Sequence, residues 1–518
     1  MRVPTQQNRT KARVAVTRSV PAPVKGWNSR DSIANMDPLD AVVLDDWFPT
    51  TSDVKLRKGS ASHVTGITGE VETLIAFKPE TGSQSLWGWA NSAIYNVSSA
   101  GAVGAAAVSG LTSIRWQVVN FKTTAGNFLL CVNGADSMRT YNGTTWTTIT
   151  GASSPAITGV DTDDLIHVNV FKERPWYIEK ASMNVWYPAA GAFSGALTKL
   201  PLQSVFKRGG YLMAMGTWTL DSGSGMDDLA VFVSSEGEAA VYQGNNPASA
   251  ATWALIGVYN IGKPIGRRCM QKLGGDLLII TTDGVVPASR AFVKGRSEGT
   301  AVAITDRIQG GMSEAVSLYG GNFGWEAVLY PEGPALIVNV PSEPQQQFVM
   351  NTVTKAWCRF TAWEANCFEE FNGALYYGMS GAVRKAWTGT ADVTAQIEGE
   401  LVQAFNYFGN RNQIKQFTML QPIIGWDSNP AQILIGVDVD FDITDPTNSI
   451  TLPQSTGGVW GTGLWGAAVW GGEPTLKKAW YSASGLGYAA ALHLTVSSTA
   501  ANVSLASVSY VFQPGGVL

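Results

Sequence analysis

Carboxylates are the only side chains in this sequence whose spacing suggests chemistry. Asp438-Val439-Asp440-Phe441-Asp442 alternates acidic and apolar residues. A period of two puts three carboxylates on one strand face and Val439 and Phe441 on the other. This reads as a solvated acidic face, or as the acidic wall of a lumen with Asp438, Asp440 and Asp442 turned towards it. A calcium loop of the EF type needs a sharp glycine turn at its sixth position, which here is Ile443, so no metal is expected. Asp45-Asp46, Asp163-Asp164 and Asp227-Asp228 could in principle supply the acid and nucleophile of a glycosidase, which flank a sugar from opposite sides. Sequence neighbours rarely face each other across a substrate, and the second and third pairs each precede an apolar run where a turn residue is wanted.

The remaining inventory points away from catalysis. His63, His167 and His493 are the three histidines and fall in three separate regions, so no local ligand pair, Ser-His or Cys-His arrangement can be drawn. There is no phosphate-binding Walker loop and no GxSxG elbow. Cys131, Cys269, Cys358 and Cys367 form no CxxC pair and are expected as buried apolar thiols rather than zinc ligands or a disulfide frame. The expectation is a chain with no catalytic residues, no metal and no cofactor.

The elements that would carry any site repeat along the chain. A short apolar or aromatic run, a turn of Gly, Asn, Asp or Ser, and a second run recur at residues 86–95, 127–141, 175–187, 229–242, 276–290, 335–349 and 374–387. Starts lie roughly 40 to 60 residues apart, about one four-stranded sheet per copy, which predicts an all-β fold with a β-propeller of six to seven blades over 67–390. Only 15% of residues are charged, while glycine reaches 56 and tryptophan 19; many short strands with tight turns fit this balance and long exposed helices do not. After residue 391 the repeat stops, and the alternation of Gln396, Glu398 and Glu400 with Ile397, Gly399 and Leu401 begins a set of strands that predicts a C-terminal β-sandwich or barrel over 391–518.

Two segments look built for contact. Residues 1–25 are expected as an extended basic arm, carrying Arg9, Lys11, Arg13 and Arg18 with no acid before Asp31. Such a polar, proline-spaced stretch cannot bury enough apolar surface to fold alone. It reads as a solvated tail, or as an arm ordered on a neighbouring subunit or nucleic acid. Residues 26–66 read as a segment packing on the other domains. Residues 446–472 lack any charge and place Trp460, Trp465 and Trp470 five residues apart, a period matching neither a helix nor one strand face. This is expected as a loop or glycine-kinked hairpin whose rings fill a core, dock another chain, or stack on sugars or bases. No stretch of 18 apolar residues and no signal-peptide core occurs, so synthesis and assembly in the cytoplasm without membrane insertion are expected.

Gly26-Trp27-Asn28-Ser29-Arg30-Asp31, Met36, Pro38, Asp40-Ala41-Val42-Val43-Leu44-Asp45, Trp47-Phe48-Pro49 and Val54-Lys55-Leu56-Arg57-Lys58-Gly59 resemble the N-terminal segment of tail nozzle proteins of short-tailed bacteriophages, also described as tail hub or packaged-DNA-stabilisation proteins. Phe405-Asn406-Tyr407-Phe408-Gly409, Lys415-Gln416-Phe417, Gln421-Pro422 and the Trp-Gly segment are similar to the same group. Asp46 stands where that pattern has an amide. The resemblance implies a structural virion protein, a homo-hexameric ring at the distal end of a short tail. An adaptor ring would lie above it, fibres or spikes around it and a plug or needle below, and genomic DNA would pass through it transiently. A net charge of −4 fits a lumen that does not hold phosphates. Opposed to this stand a glycan-degrading tail spike, which needs two carboxylates converging in one pocket, and a glycan-binding adhesin using exposed tryptophans.

Overall fold

The structure, a computed structural model, describes residues 14–221, 226–294, 302–427, 431–452 and 475–517. It is an all-β protein with two α-helices among the described residues, and it divides into two units.

The larger unit, residues 58–353 and 359–393, is a β-propeller of seven blades. Blade 1 runs outward through Thr73–Phe77, Ser85–Ala90, Ala93–Asn96 and Val108–Ser109. Blades 2, 3 and 4 begin with Gln117–Thr123, Leu165–Phe171 and Leu212–Asp221 and are also four-stranded. Blade 5 has three strands starting at Met270–Leu273, with helices Ala288–Lys294 and Gln309–Tyr319 following the third. Blade 6 starts at Glu326–Tyr330. The first six sequence repeats are the second and third strands of blades 1 to 6, joined by tight turns.

The seventh copy differs from a hairpin. Ala374–Lys385 is one twelve-residue strand, and its outer partner is Ala61–Glu70 from the start of the unit. Blade 7 is therefore shared between the two ends of the propeller chain, in the order Cys367–Phe371, Ala374–Lys385, Ala61–Glu70, Gly101–Ala102. Inner strands neighbour one another in sequence from blade 2 to blade 7 and from blade 7 to blade 1. Thr73 and Asn120 bond between blades 1 and 2, so the ring closes. Where the chain enters and leaves, Ser60 and Val393 exchange backbone bonds with their neighbours across residues 389–393. Gly59 lies so close that a Cβ there would sit 2.0 Å from the carbonyl oxygen of Ala391.

Blades are held by apolar cores between them rather than by their own width. One cluster joins blades 3 and 4 through Trp176, Tyr187, Phe232, Tyr242 and Trp253, with Trp253 stacked on Trp176 at 5.3 Å and on Tyr242 at 5.2 Å. Similar clusters lie between blades 1 and 2, 2 and 3, 4 and 5, and 7 and 1. Each buried ring removes roughly 150–250 Å² from water, which is why aromatic residues recur in six of the seven copies.

The smaller unit, residues 1–57, 354–358 and 394–518, contains two sheets. One holds the long antiparallel pair Gln413–Trp426 and Val503–Val517, extended by Val54–Leu56, Trp47–Pro49, Thr475–Lys478 and Tyr481–Gly487. The other runs Gly26–Trp27, Asp40–Asp45, Ile397–Gln403, Ala490–Ser498, Gln432–Val439, Asn448–Thr451. The segment over 26–66, expected to pack on the other domains, is divided: its strands up to Leu56 belong to this unit, and Ala61–Glu70 belongs to the propeller. The expected arm is strand from Val16 to Pro21, paired residue for residue with residues 507–512 of the strand Val503–Val517. Arg18 is exposed on that strand, while Arg9, Lys11, Arg13, Trp460, Trp465 and Trp470 lie outside the described residues.

The position without the expected amide has a compensating partner. Asp46 takes φ +59°, a left-handed conformation that Asp and Asn tolerate better than most residues, and its buried carboxylate pairs with the buried guanidinium of Arg57.

Candidate functional site in the propeller channel

The acidic triplet does not form one strand face. The strand stops at Val439 because Asp440 and Phe441 turn left-handed, at φ +50° and +72°, and the Asp440 carboxylate accepts the backbone N–H groups of Tyr488 and Ala489 at 2.7 and 2.9 Å. Asp438 is buried at 2% exposure, which corrects its assignment to a lumen wall. Only Asp440 and Asp442 are exposed. Asp438 instead meets His493, whose Nδ1 lies 3.1 Å from Oδ2 of Asp438 and 2.9 Å from the Thr444 carbonyl oxygen, while Nε2 lies 3.3 Å from Oε1 of Glu400. Strand register explains the meeting. His493 is directly opposite Val402 and Gly436, so Glu400 and Asp438, two residues away on the flanking strands, are its diagonal same-face neighbours. Burial alone would pull this imidazole down, but the two carboxylates outweigh it and hold the pKa up at about 9. Imidazolium between two acids is a structural ion cluster, and it uses up the carboxylate the sequence offered to a lumen.

The described acids of the later pairs are engaged locally. Asp163 and Asp164 sit in a single helical turn before Leu165–Phe171, with Asp164 paired to Lys180 at 2.6 Å. Asp228 accepts the Thr219 hydroxyl at 2.6 Å. His63 faces the Val97 carbonyl oxygen at 2.9 Å. All four cysteines are buried and free, and burial raises each thiol above its ordinary range. Among the described residues no cluster of three or more His, Cys, Asp or Glu could hold a metal ion, and no helix is long and apolar enough to cross a membrane.

Convergence occurs on the propeller axis, among residues far apart in sequence. The inner strands enclose a cavity of about 340 Å³ whose wall includes His167, Arg267, Arg268, Glu326, Glu369 and Glu370. Arg268 leads into blade 5 yet crosses the channel. Its guanidinium donates to the Glu72 carbonyl oxygen at 3.0 Å, to Oγ1 of Thr73 at 2.8 Å, to the Trp116 carbonyl oxygen at 3.2 Å and to Oε2 of Glu326 at 3.3 Å. One side chain thereby ties blades 1, 2 and 6 to the entry of blade 5. Phe323 lies beneath this guanidinium and that of Arg115, at 5.0 and 4.4 Å, and Arg115 grips Glu72 through two 2.9 Å bonds.

Glu326 receives the backbone N–H of Phe368 on its other oxygen. Burial raises its pKa, and Arg268 and that bond hold it back. Glu369, half-buried in the same wall, is pushed up to about 8, mainly by desolvation, with Lys78 opposing and Glu326 and Glu370 adding to the rise. His167 is 7% exposed and moves the other way, to about 4, because burial and then nearby Arg267 disfavour its cation more than its bond to the Met215 carbonyl favours it. Sequence reasoning missed these groups because they are gathered only by radial closure. Their signal was present: His167 with Asn169 and Glu369 with Glu370 break the apolar runs of the inner strands of blades 3 and 7, and Glu326 opens that of blade 6.

No family model matches the sequence, and no curated protein matches it. Similar solved structures include BBS1N in complex with ARL6DN, at 9% identity and TM-score 0.40 over 65% of this chain and 99% of that one. YCF48 bound to D1 peptide is similar at 11% identity and TM-score 0.36, over 67% and 98%. Raptor of Chaetomium thermophilum is similar at 10% and 0.37, over 64% and 28%. Likeness at this level says nothing of activity or partners.

Proposed function

We propose that this chain is a structural subunit of the tail nozzle of a short-tailed bacteriophage, assembling with copies of itself, in a ring of six by resemblance, to form the distal conduit that retains and then delivers DNA. Its partners in that reading are the tail adaptor, fibres or spikes, and a plug or needle, and its place is the virion tail. One observation carries most of the support. The two stretches that resemble nozzle proteins, separated by more than 300 residues, fall in the same unit apart from Lys58 and Gly59, and within it Asn35 accepts a 2.9 Å bond from Arg411, between Gly409 and Lys415. A resemblance spread over two ends of a sequence is thereby a resemblance of one folded module. Asp440 and Asp442 are exposed acids available to a phosphate-repelling wall, and Arg18 is an exposed base on the arm strand.

Negative-stain electron microscopy of the purified chain, alone and mixed with disrupted virions, tests the reading. Sixfold rings, or added density at the tail tip, are expected. Persistent monomers with no place on the particle would overturn it.

A further inference from the structure

In the smaller unit, the sheet built on Gln413–Trp426 and Val503–Val517 leaves its outer face open. From Leu476 to Leu486 every second residue is exposed. Leu476, Trp480 and Leu486 stand 67%, 41% and 65% exposed, and Met419, opposite Ser482, stands at 38%. Four of the thirteen large apolar side chains left exposed among the described residues thus share one face, and such clustering marks a contact surface. Its charges have one sign. Register joins Leu476 through Gly425 and Ser504 to Lys55, and Lys478 through Ile423 and Ser507 to Pro21; neither these rows nor those that hold Met419 and Leu486 contain a carboxylate. Lys55 and Lys478 are exposed and pair with no acid among the described residues.

The other sheet of this unit turns the opposite charge outward. A Cβ at Gly399 would lie 2.6 Å from Leu56 and 2.8 Å from the Trp47 indole nitrogen, so Gly399 and Leu56 stand on the inner faces of the two sheets. Side chains alternate along a strand. Lys55, next to Leu56, and Glu398, next to Gly399, therefore point outward in opposite directions. Glu398 is exposed, and the Glu400 side chain is 44% exposed. Their rows run through Ser497 to Gln432 and through Thr495 to Leu434, with no lysine or arginine. Gln396 donates to Glu398 at 2.8 Å and, with Gln432, Ser449 and Ser497, borders an uncharged hollow of about 430 Å³.

A heterologous contact joins two different patches and, repeated, closes a ring; outer faces of opposite charge on one module meet that requirement. We propose that these two faces are the contact between neighbouring copies of this chain, the lysine face of one lying on the carboxylate face of the next, with Lys478 on Glu398 and Trp480 seated in the hollow beside it. Spacing matches as well as charge, since Trp480 is two residues from Lys478 and Gln396 is two residues from Glu398. From Leu476 to Leu486 and across four strands the first face measures about 33 Å by about 20 Å, about 650 Å² in plan against the roughly 800 Å² per partner of a standard interface. Trp480 is the anchor, as a seated aromatic is at most interfaces, and the charges set orientation. This contact rests on the reading of the chain as a ring subunit.

Zero-length carbodiimide cross-linking of a one-to-one mixture of unlabelled and isotope-labelled full chain, read by mass spectrometry, tests it together with sedimentation velocity over a range of concentrations. A link between Lys478 of one isotopic form and Glu398 of the other is expected. Lys478→Glu and Glu398→Lys should each weaken self-association at least about tenfold by setting like charges together, and Trp480→Ala should do the same. All three side chains are exposed, so the variants should melt with the parent. An equal mixture of the two charge variants should associate again, because the reversed lysine face of one meets the reversed carboxylate face of the other. Association unchanged in either charge variant, no recovery on mixing, or no link between the two isotopic forms at these residues would overturn the contact. Sixfold rings that persist in both charge variants would remove this contact and leave the ring standing; a parent that stays monomeric with no place on the particle would remove both.

Discussion

Arg268→Ala should weaken the propeller in a way that depends on pH, because the residue it abandons can escape by taking a proton. The substitution removes the donor to two carbonyl oxygens and one hydroxyl. These border a cavity, so water can replace the guanidinium there. Glu326 is the lasting loss: its side chain is 8% exposed and burial already pushes its pKa up from 4.5, with Arg268 the chief restraint. Without Arg268 the folded pKa rises further, and the penalty cannot exceed the cost of protonating the carboxyl. That cost is about 1.4 kcal/mol per pH unit above 4.5, hence about 3 kcal/mol at pH 7 and about 1 kcal/mol at pH 5.5. A raised carboxyl pKa means the folded state holds the extra proton, so stability is lost as pH rises, the sign required here. Thermal melts followed by tryptophan fluorescence at pH 5.5, 7 and 8, compared with the parent at each pH, measure it. Arg268→Ala/Glu326→Gln should recover most of the deficit at pH 7 and show little pH dependence. A deficit equal at all three values, or a double variant no better than the single, would refute the account of Glu326 as a buried charge kept ionised by Arg268.

Two further outcomes follow from packing and register. His493, raised to about 9 between Asp438 and Glu400, contributes stability that is complete below about pH 6.5 and is lost as pH climbs towards 9, on the order of 3 kcal/mol for an imidazolium this deeply buried; in His493→Gln the melting temperature of this unit should hardly change over that interval, and a parent-like alkaline decline there would count against the cluster. Gly59→Ala should cost about 3 kcal/mol by forcing its Cβ away from the Ala391 backbone, and should expose the seventh blade to protease before the others; a melt matching the parent would show that the segment around Ala391 can shift freely.

How far the fold could be read depended on sequence range. Hairpins within a blade announce themselves, since apolar runs flank residues suited to turns such as Asn91-Ser92, both at positive φ; the Lys172-Glu173 turn, also at positive φ, carries no such signal. The partner of Ala374–Lys385 could not be found locally, because it lies about 300 residues earlier and nothing in a strand's own sequence names a distant neighbour. Period two was applied one residue too far at Asp440, where a carboxylate captured by two N–H groups ends the strand. Phe441 at φ +72° is the kind of bulky left-handed residue that only surrounding contacts impose; its ring lies 4.9 Å from that of Phe405. Likewise the channel groups are legible as polar interruptions of inner strands, but the crossing made by Arg268 is a fact of closure alone.

That crossing also bears on where a conduit could run. A chamber of about 340 Å³, spanned by a guanidinium bonded to three other blades, admits a small molecule and no duplex. In the nozzle reading the lumen therefore lies between copies, and the charges that matter are those on subunit surfaces rather than on the propeller axis. The buried acids Asp438, Glu326 and Asp46 are each matched to His493, Arg268 and Arg57 and contribute little outward field, since paired opposite charges cancel at a distance. The repulsion that keeps phosphates moving must then come from exposed carboxylates such as Asp440 and Asp442, and its strength should fall with added salt, as it would not for a wall of buried acids.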